Sequence, residues 1–456
     1  MTAEPFSLDP GAQEILAALN RAGFAAYAVG GCVRDMLMGK TPHDWDITTN
    51  AHPQQIKEVF SRFPVLETGI RHGTLTVLVH NIPYEITTFR RDGAYTDHRR
   101  PAQIRFSDSL EQDLARRDLT VNAMAYHPEA GVVDPFGGRQ DLLQKRLRCV
   151  GDPHTRFTED ALRILRTLRF AAVLGFSIEQ QTALSLCQDA HLLSYISAER
   201  VYAEMTRLLC GKHAGRILCD YPAALSVRIP CLLPLAGLQQ HNPHHIYDVL
   251  THTAHTVDAI APTPSLRWSA LLHDCGKAST FSLDENGVGH FYSHAAYSTA
   301  YAQQTLRDLR ADAQTVKTVS TLIRYHDTPT ATDPTAVKKR MSRWGEDTFR
   351  QVLALQRADT AGQSPHLSIR LNTLERLEQL ADQISAEQQC FTRKDLALRG
   401  SDVAALGYQG AQIGEALDYL LQLVIENKAE NHADALRAAL THFPQAPLKT
   451  PFCRPH

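Results

Sequence analysis

The chain has 456 residues, of which 43% are hydrophobic and 21% charged, so it is expected to fold as two to four domains and not to be disordered. Its net charge of −2 argues against a protein coated with nucleic acid, and no apolar run approaches the roughly 20 residues of a membrane span. The nine cysteines contain no C-x-x-C pair, which predicts buried thiols in a reducing cytoplasm.

The first 150 residues are predicted to mix helices and strands. The run EILAALNRAG has helical periodicity and ends at Gly23, a residue type that commonly stops helices. AAYAVGG follows as a short buried strand that leads into a tight turn. TLTVLV and YEITTFR are two β-rich runs separated by the turn-like HNIP, and they therefore predict a hairpin.

The sequence pattern changes near residue 150. From Gly151 onwards, runs such as EDALRILRTLRFAAVLG have helical periodicity, and strand-like runs become few. A histidine-rich segment extends from His241 to His326, and a last helical stretch begins after about residue 370. The sequence therefore predicts the α+β class, with a mixed N-terminal part followed by a helical body.

A double glycine begins the run GGCVRDMLMGKTPHDWDITTN at residues 30–50. Glycines at the end of a strand let a phosphate approach the backbone, and both Arg34 and the start of the next helix would favour its charge. Gly31 and Arg34 are therefore candidate nucleotide-binding residues. A double glycine by itself more often marks only a turn.

Asp44 and Asp46 follow the double glycine and flank a tryptophan. On a strand, residues two apart point to the same face, so these carboxylates would repel each other unless a cation lies between them. Hard oxygen ligands suit magnesium (Mg²⁺), and two metal ions can activate a hydroxyl and stabilise a leaving pyrophosphate. Glu85 is a candidate third carboxylate, although an exposed strand glutamate is an equal alternative. Trp45 would point to the opposite face and pack.

Two further segments concentrate charge. RRDLTVNAMAY brings Arg117 and Asn122 close together in sequence, where a structural salt bridge is as good an explanation as a binding site. In EDALRILRTLRF, arginines recur every three residues and would form one stripe on a helix. Asp160, one turn before Arg163, could hold that guanidinium, and the pair could imitate the pairing edge of a base. The alternative is an ordinary surface ion pair.

Five motifs resemble those of the class II tRNA nucleotidyltransferases, the bacterial family of CCA-adding enzymes and poly(A) polymerases. They cover about residues 25–205 in the family's order and read GGCVRDMLMGKTPHDWDITT, TGIRHGTLTV, RRDLTVNAMAY, DPFGGRQDL and GDPHTRFTEDALRILRTLRFAA. The resemblance implies a polymerase-β-like nucleotidyltransferase head with a mixed sheet. It also implies that Asp44 and Asp46 are the catalytic metal ligands and that Gly31 and Arg34 contact the incoming nucleotide.

The resemblance gives roles to the other charged residues. Arg117 and Asn122 would lie near the sugar and phosphates of the nucleotide. Asp160 and Arg163 would form a protein template that accepts C or A and rejects G and U. The supporting residues would be Arg166 and Arg169 on the same helix, with Glu199 and Arg200 on a neck helix. The loop RRDGAYTDHRRPAQIRF would help to switch the template from CTP to ATP, which favours full CCA addition.

The histidine-rich segment resembles the HD superfamily of metal-dependent phosphohydrolases. Its residues appear in the order His252, His273, Asp274, His294, His326 and Asp359, with Asp327 as a competing final ligand. Imidazoles with carboxylates suit a transition metal such as Mn²⁺, Ni²⁺, Fe²⁺ or zinc, which would activate water near neutral pH. Domains of this fold can also lose turnover and remain as RNA-binding modules, so the alternative is a helical scaffold.

Together these features predict a CCA-adding tRNA nucleotidyltransferase that uses CTP, ATP and tRNA, with its oligomeric state left open. The predicted division is a catalytic head at 1–150, a neck and body at 151–235, an HD domain at 236–365 and a helical tRNA-binding tail at 366–456. The alternatives are a poly(A) polymerase of the same family, an HD phosphohydrolase acting on RNA ends or cyclic phosphates, and a non-catalytic RNA chaperone. The intact pair of aspartates argues against the chaperone, because a binding protein gains nothing from two adjacent carboxylates.

Overall fold

The structure, a computed structural model, describes residues 8–92, 104–242, 246–363 and 368–443. In these ranges a head built on a mixed sheet precedes a long series of helices. This architecture confirms the predicted α+β class. No helix in the described ranges is both long enough and apolar enough to cross a lipid bilayer.

The strands of the head follow the sequence order β1 (Ala26–Val29), β2 (Asp46–Thr49), β3 (Val65–Leu66), β4 (Thr74–Val79), β5 (Ile82–Thr88), β6 (Arg90–Asp92), β7 (Ile104–Phe106), β8 (Ala125–His127) and β9 (Gly131–Val133). Among the described residues the main sheet has the order β3-β4-β5-β2-β1-β8-β9, in which β2 and β5 are parallel and the other neighbours antiparallel. Strands β6 and β7 pair separately. The parallel pair β2–β5 places Asp46 opposite Glu85.

Short helices cover the sheet and carry its connections: α1 (Pro10–Arg21), α2 (Gly31–Leu37), α3 (Pro53–Val59), α4 (Leu110–Ala115) and α5 (Gly138–Leu143). The side chain of Asp9 caps α1 by accepting from the backbone N–H of Gly11. Two residues after α1, Gly23 has φ +85°, a left-handed conformation that favours glycine. The predicted helix stop at Gly23 is therefore confirmed.

The predicted hairpin is formed by β4 and β5, but its turn is shorter than the HNIP run suggested. Only His80 and Asn81 lie between the strands, and both have positive φ, as a tight two-residue turn requires. Strand β2 also begins later than expected, at Asp46, so Asp44 lies in the bend before the strand. Trp45 packs in the core of the head, as its predicted orientation required.

The next helices form a body joined to the head by a short parallel pair, β10 (Arg146–Leu147) and β11 (Ser177–Ile178). They are α6 (Pro153–Glu159), α7 (Leu162–Leu174), α8 (Gln180–Asp189), α9 (Ala198–Leu209), α10 (Ala214–Asp220) and α11 (Pro222–Ser226). Helix α7 faces the head and packs against α9. It therefore brings body residues to the edge of the head sheet.

Among the described residues, the histidine-rich segment and the chain that follows it up to residue 363 are helical apart from one hairpin, β12 (Phe281–Leu283) with β13 (Gly289–Phe291), which the sequence did not predict. Its helices are α12 (Val249–Ala259), α13 (Pro264–Leu272), α14 (Lys277–Thr280), α15 (His294–Asp308), α16 (Ala313–Tyr325), α17 (Pro334–Trp344) and α18 (Glu346–Ala361). Trp268 of α13 stacks on Tyr202 of α9, with 5.7 Å between ring centroids. One hydrophobic core consequently continues from the body into this segment.

The C-terminal helices are α19 (Ser368–Ala386), α20 (Gly400–Ala405), α21 (Ala411–Ile425) and α22 (Ala433–Leu440). Leu374 and Leu377 of α19 pack with Phe349 of α18 in one small core. Helices α20 to α22 surround a separate core that includes Leu420 and Leu436. Helix α19 therefore connects the histidine-rich segment to a small terminal helical unit.

Candidate active site

A cavity of about 560 Å³ lies between the head sheet and α7. It is lined by all the residues that the sequence predicted for catalysis and nucleotide contact: Gly31, Arg34, Asp44, Asp46, Arg117, Asn122, Asp160, Arg163, Arg166 and Arg169. These residues come from the loop before β2, from α2 and α7, and from the segment around Thr120–Asn122. The fold thus collects residues that are up to 138 positions apart, the span from Gly31 to Arg169, into one polar cavity.

The paired carboxylates lie at the start of β2. The side chain of Asp46 is accessible from the cavity, yet the surrounding protein raises its pKa by burial, and the charges of Glu85 and Asp44 raise it further. The positive charge of Arg117 opposes this shift. Crowded carboxylates that one arginine only partly neutralises form a hard-oxygen donor set, which fits a divalent cation such as magnesium.

Gly30 explains the double glycine in structural terms. It has φ +80°, and a Cβ added at this position would lie 2.9 Å from Nη1 of Arg117. Only glycine combines this backbone conformation with the close approach of the arginine. At Gly31 an added Cβ would come no nearer than 3.7 Å to the described atoms of the protein, so the fold alone does not require the second glycine.

Arg117 and Asn122 belong to a network of buried polar groups. Arg117 also lies 3.4 Å from a carboxylate oxygen of the buried Asp113, so the structural salt bridge considered for it exists beside its place in the cavity. Arg34 Nη1 donates to Asn122 Oδ1 at 2.7 Å, and Asn122 Nδ2 donates to Asp118 at 3.3 Å. Asn122 is therefore held between α2 and the carboxylate of Asp118.

The predicted contact between the side chains of Asp160 and Arg163 is wrong, because each of them pairs with another residue. Asp160 lies between α6 and α7 with φ −137° and ψ 102°, so it is not one helical turn before Arg163 on a continuous helix. Its carboxylate caps the backbone N–H of Leu162 and accepts from Arg200 Nη2 at 2.9 Å. Arg163 instead pairs with Glu159 at 2.6 Å. The helix break turns the two side chains to different partners, although both still line the cavity.

The other two arginines of the stripe also have carboxylate partners. Arg166 Nε donates to Asp118 at 2.7 Å. Burial raises the pKa of Asp118, but the charge and hydrogen bond of Arg166 together with the charge of Arg163 outweigh burial and lower that pKa. Arg169 pairs with Glu204 of α9 at 2.9 Å, but burial still lowers its pKa to about 10. The carboxylates come from outside α7, so they offset the repulsion that the spacing of the stripe implies.

Sequence reasoning missed Glu204, although it stands four residues after Arg200 and therefore on the same face of α9. Of the two neck residues that were predicted, Arg200 reaches Asp160, whereas Glu199 pairs at 2.9 Å on the surface with Arg310, which follows α15. Glu85 lies beside Asp46 in the sheet but is not among the described residues that line the cavity. Residues 93–103 of the predicted switching loop lie outside the described residues.

A second constellation forms in the histidine-rich segment. His252 of α12, His273 and Asp274 after α13, and Asp359 of α18 converge, with His252 Nε2 3.0 Å from Asp359 Oδ1 and His273 Nε2 3.2 Å from Asp274 Oδ2. His294 of α15 lies 3.5 Å from Asp274 through its Nε2. All six predicted residues are therefore brought together, the last being His326 at 3.3 Å from His294.

The four imidazoles of this centre share one hydrogen-bonding pattern. Each Nδ1 faces a backbone carbonyl oxygen at 2.6–3.0 Å, and these oxygens belong to Gly362, Ala270, Phe291 and Ile323. A proton on Nδ1 leaves the lone pair of Nε2 directed inward, as in metal-binding histidines. The donor set of imidazole nitrogens and carboxylate oxygens thus fits a transition metal.

Burial and charge act in opposite directions on this centre. Burial alone would lower the pKa of His273, but Asp274 and Asp359 outweigh it and raise that pKa, so the two carboxylates favour a positive charge here, which a metal ion would supply in place of the Nε2 proton. Burial would raise the pKa of Asp359, whereas its histidine partners hold it well below the usual range. Asp327 is exposed on the rim of the adjoining cavity of about 510 Å³, so Asp359 is the carboxylate inside the centre.

Three family models match this chain. The poly(A) polymerase head domain matches residues 26–148, and the RNA- and SrmB-binding site of polymerase A matches residues 175–220. The tRNA nucleotidyltransferase domain 2 matches residues 281–440 and spans the boundary predicted at residue 365.

Curated relatives and solved structures extend this similarity over nearly the whole chain. The chain is 35% identical over 439 residues to the CCA-adding enzyme of Levilactobacillus brevis, which is 94% of this chain and 97% of that relative. It is 32% identical to the CCA-adding enzyme of Bacillus pumilus, over 96% of this chain and 97% of the relative. The crystal structure of the Bacillus stearothermophilus CCA-adding enzyme in complex with CTP matches with a TM-score of 0.71 and 29% identity, covering 95% and 98% of the two chains. The protein therefore belongs to the family of CCA-adding enzymes, which are metal-dependent tRNA nucleotidyltransferases.

Proposed function

We propose that the cavity between the head and α7 binds CTP and then ATP and transfers their nucleotidyl groups to the 3′ end of tRNA. The observation that carries the proposal is that one cavity contains both the paired carboxylates of β2 and the arginine stripe of α7. The similar Bacillus stearothermophilus structure, which is described as a complex with CTP, supports a nucleotide in this cavity.

In this mechanism Asp44 and Asp46 would hold magnesium, which would supply charge stabilisation for the attacking 3′-hydroxyl and the leaving pyrophosphate. Arg34, Arg166 and Arg169 neutralise the triphosphate from the cavity wall. Glu85 contributes a third negative charge beside Asp46. The reaction is driven mainly by positioning of the hydroxyl and the α-phosphate, since the protein makes no covalent intermediate.

Base selection is assigned to the end of the cavity near Asp160 and Arg163. Asp160 offers a carboxylate acceptor that Arg200 holds at 2.9 Å, and Arg163 offers a donor fixed by Glu159. An acceptor beside a donor can form hydrogen bonds with the pairing edge of C or A. Arg117 and Asn122 line the same cavity and would lie near the sugar and phosphates of the nucleotide.

The direct test of this function uses tRNA whose 3′ end lacks CCA, together with labelled CTP, ATP, UTP or GTP. We expect C to be added from CTP alone, and A to be added only after C when both nucleotides are present. Gel analysis at single-nucleotide resolution measures this order. Long tails from ATP alone would identify a poly(A) polymerase. If none of the four nucleotides is added to the tRNA, both activities are excluded.

We propose that the chain is organised as a catalytic head at 1–150, a neck and body at 151–235, a metal-binding segment at 236–365 and a tRNA-binding tail at 366–456. The head sheet has its own core, which supports the first boundary, although Leu119, Val121, Leu147 and Cys149 of the head belong to the core that continues into the body. A shared core crosses the second boundary, so this boundary separates functions and not independently packed units. A tRNA substrate is consistent with a cytoplasmic location.

The convergence of four imidazoles and two carboxylates favours a second function, a metal-dependent phosphohydrolase centre of the HD type. The six residues, His252, His273, Asp274, His294, His326 and Asp359, would hold a transition metal such as Mn²⁺, Ni²⁺ or Fe²⁺. Such a metal supplies Lewis-acid activation of water near neutral pH. Lys277 lies 2.8 Å from Asp274, and Arg370 lies 3.3 Å from Asp359. Both cations line the adjoining cavity, where they would hold a phosphate.

The replacement His273→Ala is expected to lower metal content and phosphoester hydrolysis at least about 100-fold, because even residues outside the ligand set change metal affinity by up to that factor. Elemental analysis gives the metal content, and a 2′,3′-cyclic nucleotide with added manganese, nickel or cobalt gives the hydrolysis rate. CCA addition should stay unchanged.

The matched control is His255→Ala, which removes an exposed histidine of the same helix α12. Wild type that contains no metal and hydrolyses no phosphoester with any of the three ions would leave this segment as a helical RNA-binding scaffold.

A further inference from the structure

The ring of Phe170 is surrounded by three arginines of the nucleotide cavity. The guanidinium carbon of Arg169 lies 4.1 Å from the ring centroid, that of Arg34 lies at 5.2 Å and that of Arg166 at 5.7 Å. Guanidinium groups within about 6 Å of an aromatic face are attracted by its quadrupole, and the attraction is stronger where water is excluded. Phe170 is 9% exposed, so its ring is largely shielded from solvent.

The three arginines come from both sides of the cavity. Arg34 belongs to α2 of the head, whereas Arg166 and Arg169 belong to α7 of the body. Each also has its own carboxylate, since Arg34 pairs with Asp35, Arg166 with Asp118 and Arg169 with Glu204. The carboxylates lie on different elements, so the ring is the group that all three guanidinium heads share.

A phosphate-binding set of arginines needs this kind of restraint. Each arginine side chain loses rotamer entropy when it is ordered, and several like charges must be held together before the anion arrives. A ring that fixes the guanidinium heads in advance reduces the cost of ordering them on binding. Phe170 also lines the cavity itself and lies directly beside the space that the arginines enclose.

We propose that Phe170 is a positioning residue for the triphosphate: its aromatic face orders Arg34, Arg166 and Arg169 and joins the head and body halves of the clamp. The alternative is that Phe170 only fills the hydrophobic core to which it contributes. The two roles differ chemically, because core filling needs volume and an apolar surface, whereas ordering of arginines needs a π face.

The test compares Phe170→Leu, which keeps an apolar side chain, with Phe170→Tyr and Phe170→Trp, which keep the π face. Phe170→Leu should raise the KM for CTP and for ATP about 10- to 100-fold, as expected from the loss of cation–π contacts to three arginines. Its kcat should change far less. Both aromatic variants should return KM close to the wild-type value.

A second readout separates phosphate from base recognition. Equilibrium binding of CTP should weaken in Phe170→Leu much more than binding of CMP, because the β- and γ-phosphates lose ordered arginines. Discrimination between CTP and UTP should stay as in wild type, since Asp160 and Arg163 are left in place.

Phe176→Leu is the matched control, because Phe176 is buried in the same hydrophobic core but does not line the nucleotide cavity among the described residues. This variant should lose thermal stability without a change in KM. Phe170→Leu with the same KM as wild type, or aromatic variants that behave like Phe170→Leu, would overturn the proposal.

The inference rests on the proposed function, and the two fail differently. Wild type that binds no CTP would refute the nucleotide site itself. Wild type that binds CTP while all Phe170 variants bind it equally well would refute only the positioning role. If Phe170→Leu unfolds, the proposal is tested by comparing CTP binding of Phe170→Tyr and Phe170→Trp with that of Phe176→Leu. Poor CTP binding by the folded aromatic variants would contradict the positioning role.

Discussion

Asp46→Asn is expected to abolish incorporation of both CTP and ATP, with a loss of at least about 10³ in kcat. Metal-assisted charge stabilisation contributes several kcal/mol to such a step, and each 1.36 kcal/mol changes the rate about tenfold. Asparagine keeps the shape of the side chain but removes the charge that holds a divalent cation. Single-turnover extension of tRNA that lacks CCA measures the loss.

The free energy of unfolding of Asp46→Asn should not decrease, although its activity is lost. Burial and the neighbouring carboxylates raise the pKa of Asp46, so its ionised form costs more free energy in the folded protein than in the unfolded chain. Removing the charge should therefore leave the free energy of unfolding unchanged or increase it in the absence of metal, as measured by urea denaturation. A variant that is both inactive and unfolded would not support a catalytic role.

Asp44→Asn and Glu85→Gln, compared with Asp46→Asn, rank the three carboxylates by their effect on turnover. Asp44→Asn should be nearly as damaging as Asp46→Asn, because both side chains line the cavity. Glu85→Gln should cause a smaller but clear loss if Glu85 is the third carboxylate. Unchanged turnover in Glu85→Gln would show that Glu85 is only an exposed strand residue without a role in catalysis. Near-normal turnover in Asp46→Asn or Asp44→Asn would contradict the assignment of this pair as metal ligands.

Asp160→Ala is expected to erode base selection more than nucleotide affinity. A bidentate side-chain contact to a base contributes about 1–3 kcal/mol of discrimination, so misincorporation of UTP and GTP relative to CTP should rise about 5- to 150-fold. The arginines that face the triphosphate remain, and the KM for CTP should therefore change less. Competition between labelled CTP and UTP measures the ratio directly.

Two variants on α9 serve as comparisons for Asp160→Ala. Arg200→Ala frees the carboxylate of Asp160 and should lower fidelity in the same direction, because the 2.9 Å contact that orients it is lost. Glu199→Gln, one residue earlier, alters a surface pair with Arg310 and should leave fidelity unchanged. If Asp160→Ala reduces only affinity, Asp160 is a structural partner of Arg200 and not part of a template.

Local patterns in the sequence were sufficient to predict the elements of the head. Helix α1 and its stop at Gly23, the strand before the double glycine and the β4–β5 hairpin depend on period and turn chemistry within a few residues. The residues that line the cavity were also predictable, because the family's motifs place each of them within a short segment. The β12–β13 hairpin was not predicted, since three-residue strands are too short to show a clear alternation.

The partners of the charged side chains were not predictable from spacing. Asp160 and Arg163 are three residues apart, a spacing that brings side chains together only if the helix is continuous, and here the chain is extended at Asp160. The backbone break sends Asp160 to Arg200 and leaves Arg163 to Glu159. Likewise, the pairing of Arg169 with Glu204 depends on how α7 packs against α9.

The sequence by itself therefore determined which residues are candidates for the chemistry, including the six histidine and aspartate residues that meet in the second centre. The tertiary structure decided how they meet: His252 and the Gly362 carbonyl that fixes its ring lie 110 residues apart, and Asp359 displaced Asp327 as the inner carboxylate. The physical reason is that residue type and hydrophobic periodicity are properties of a short stretch of sequence. The distances between side chains, their burial and their charge pairs arise only when separate helices pack.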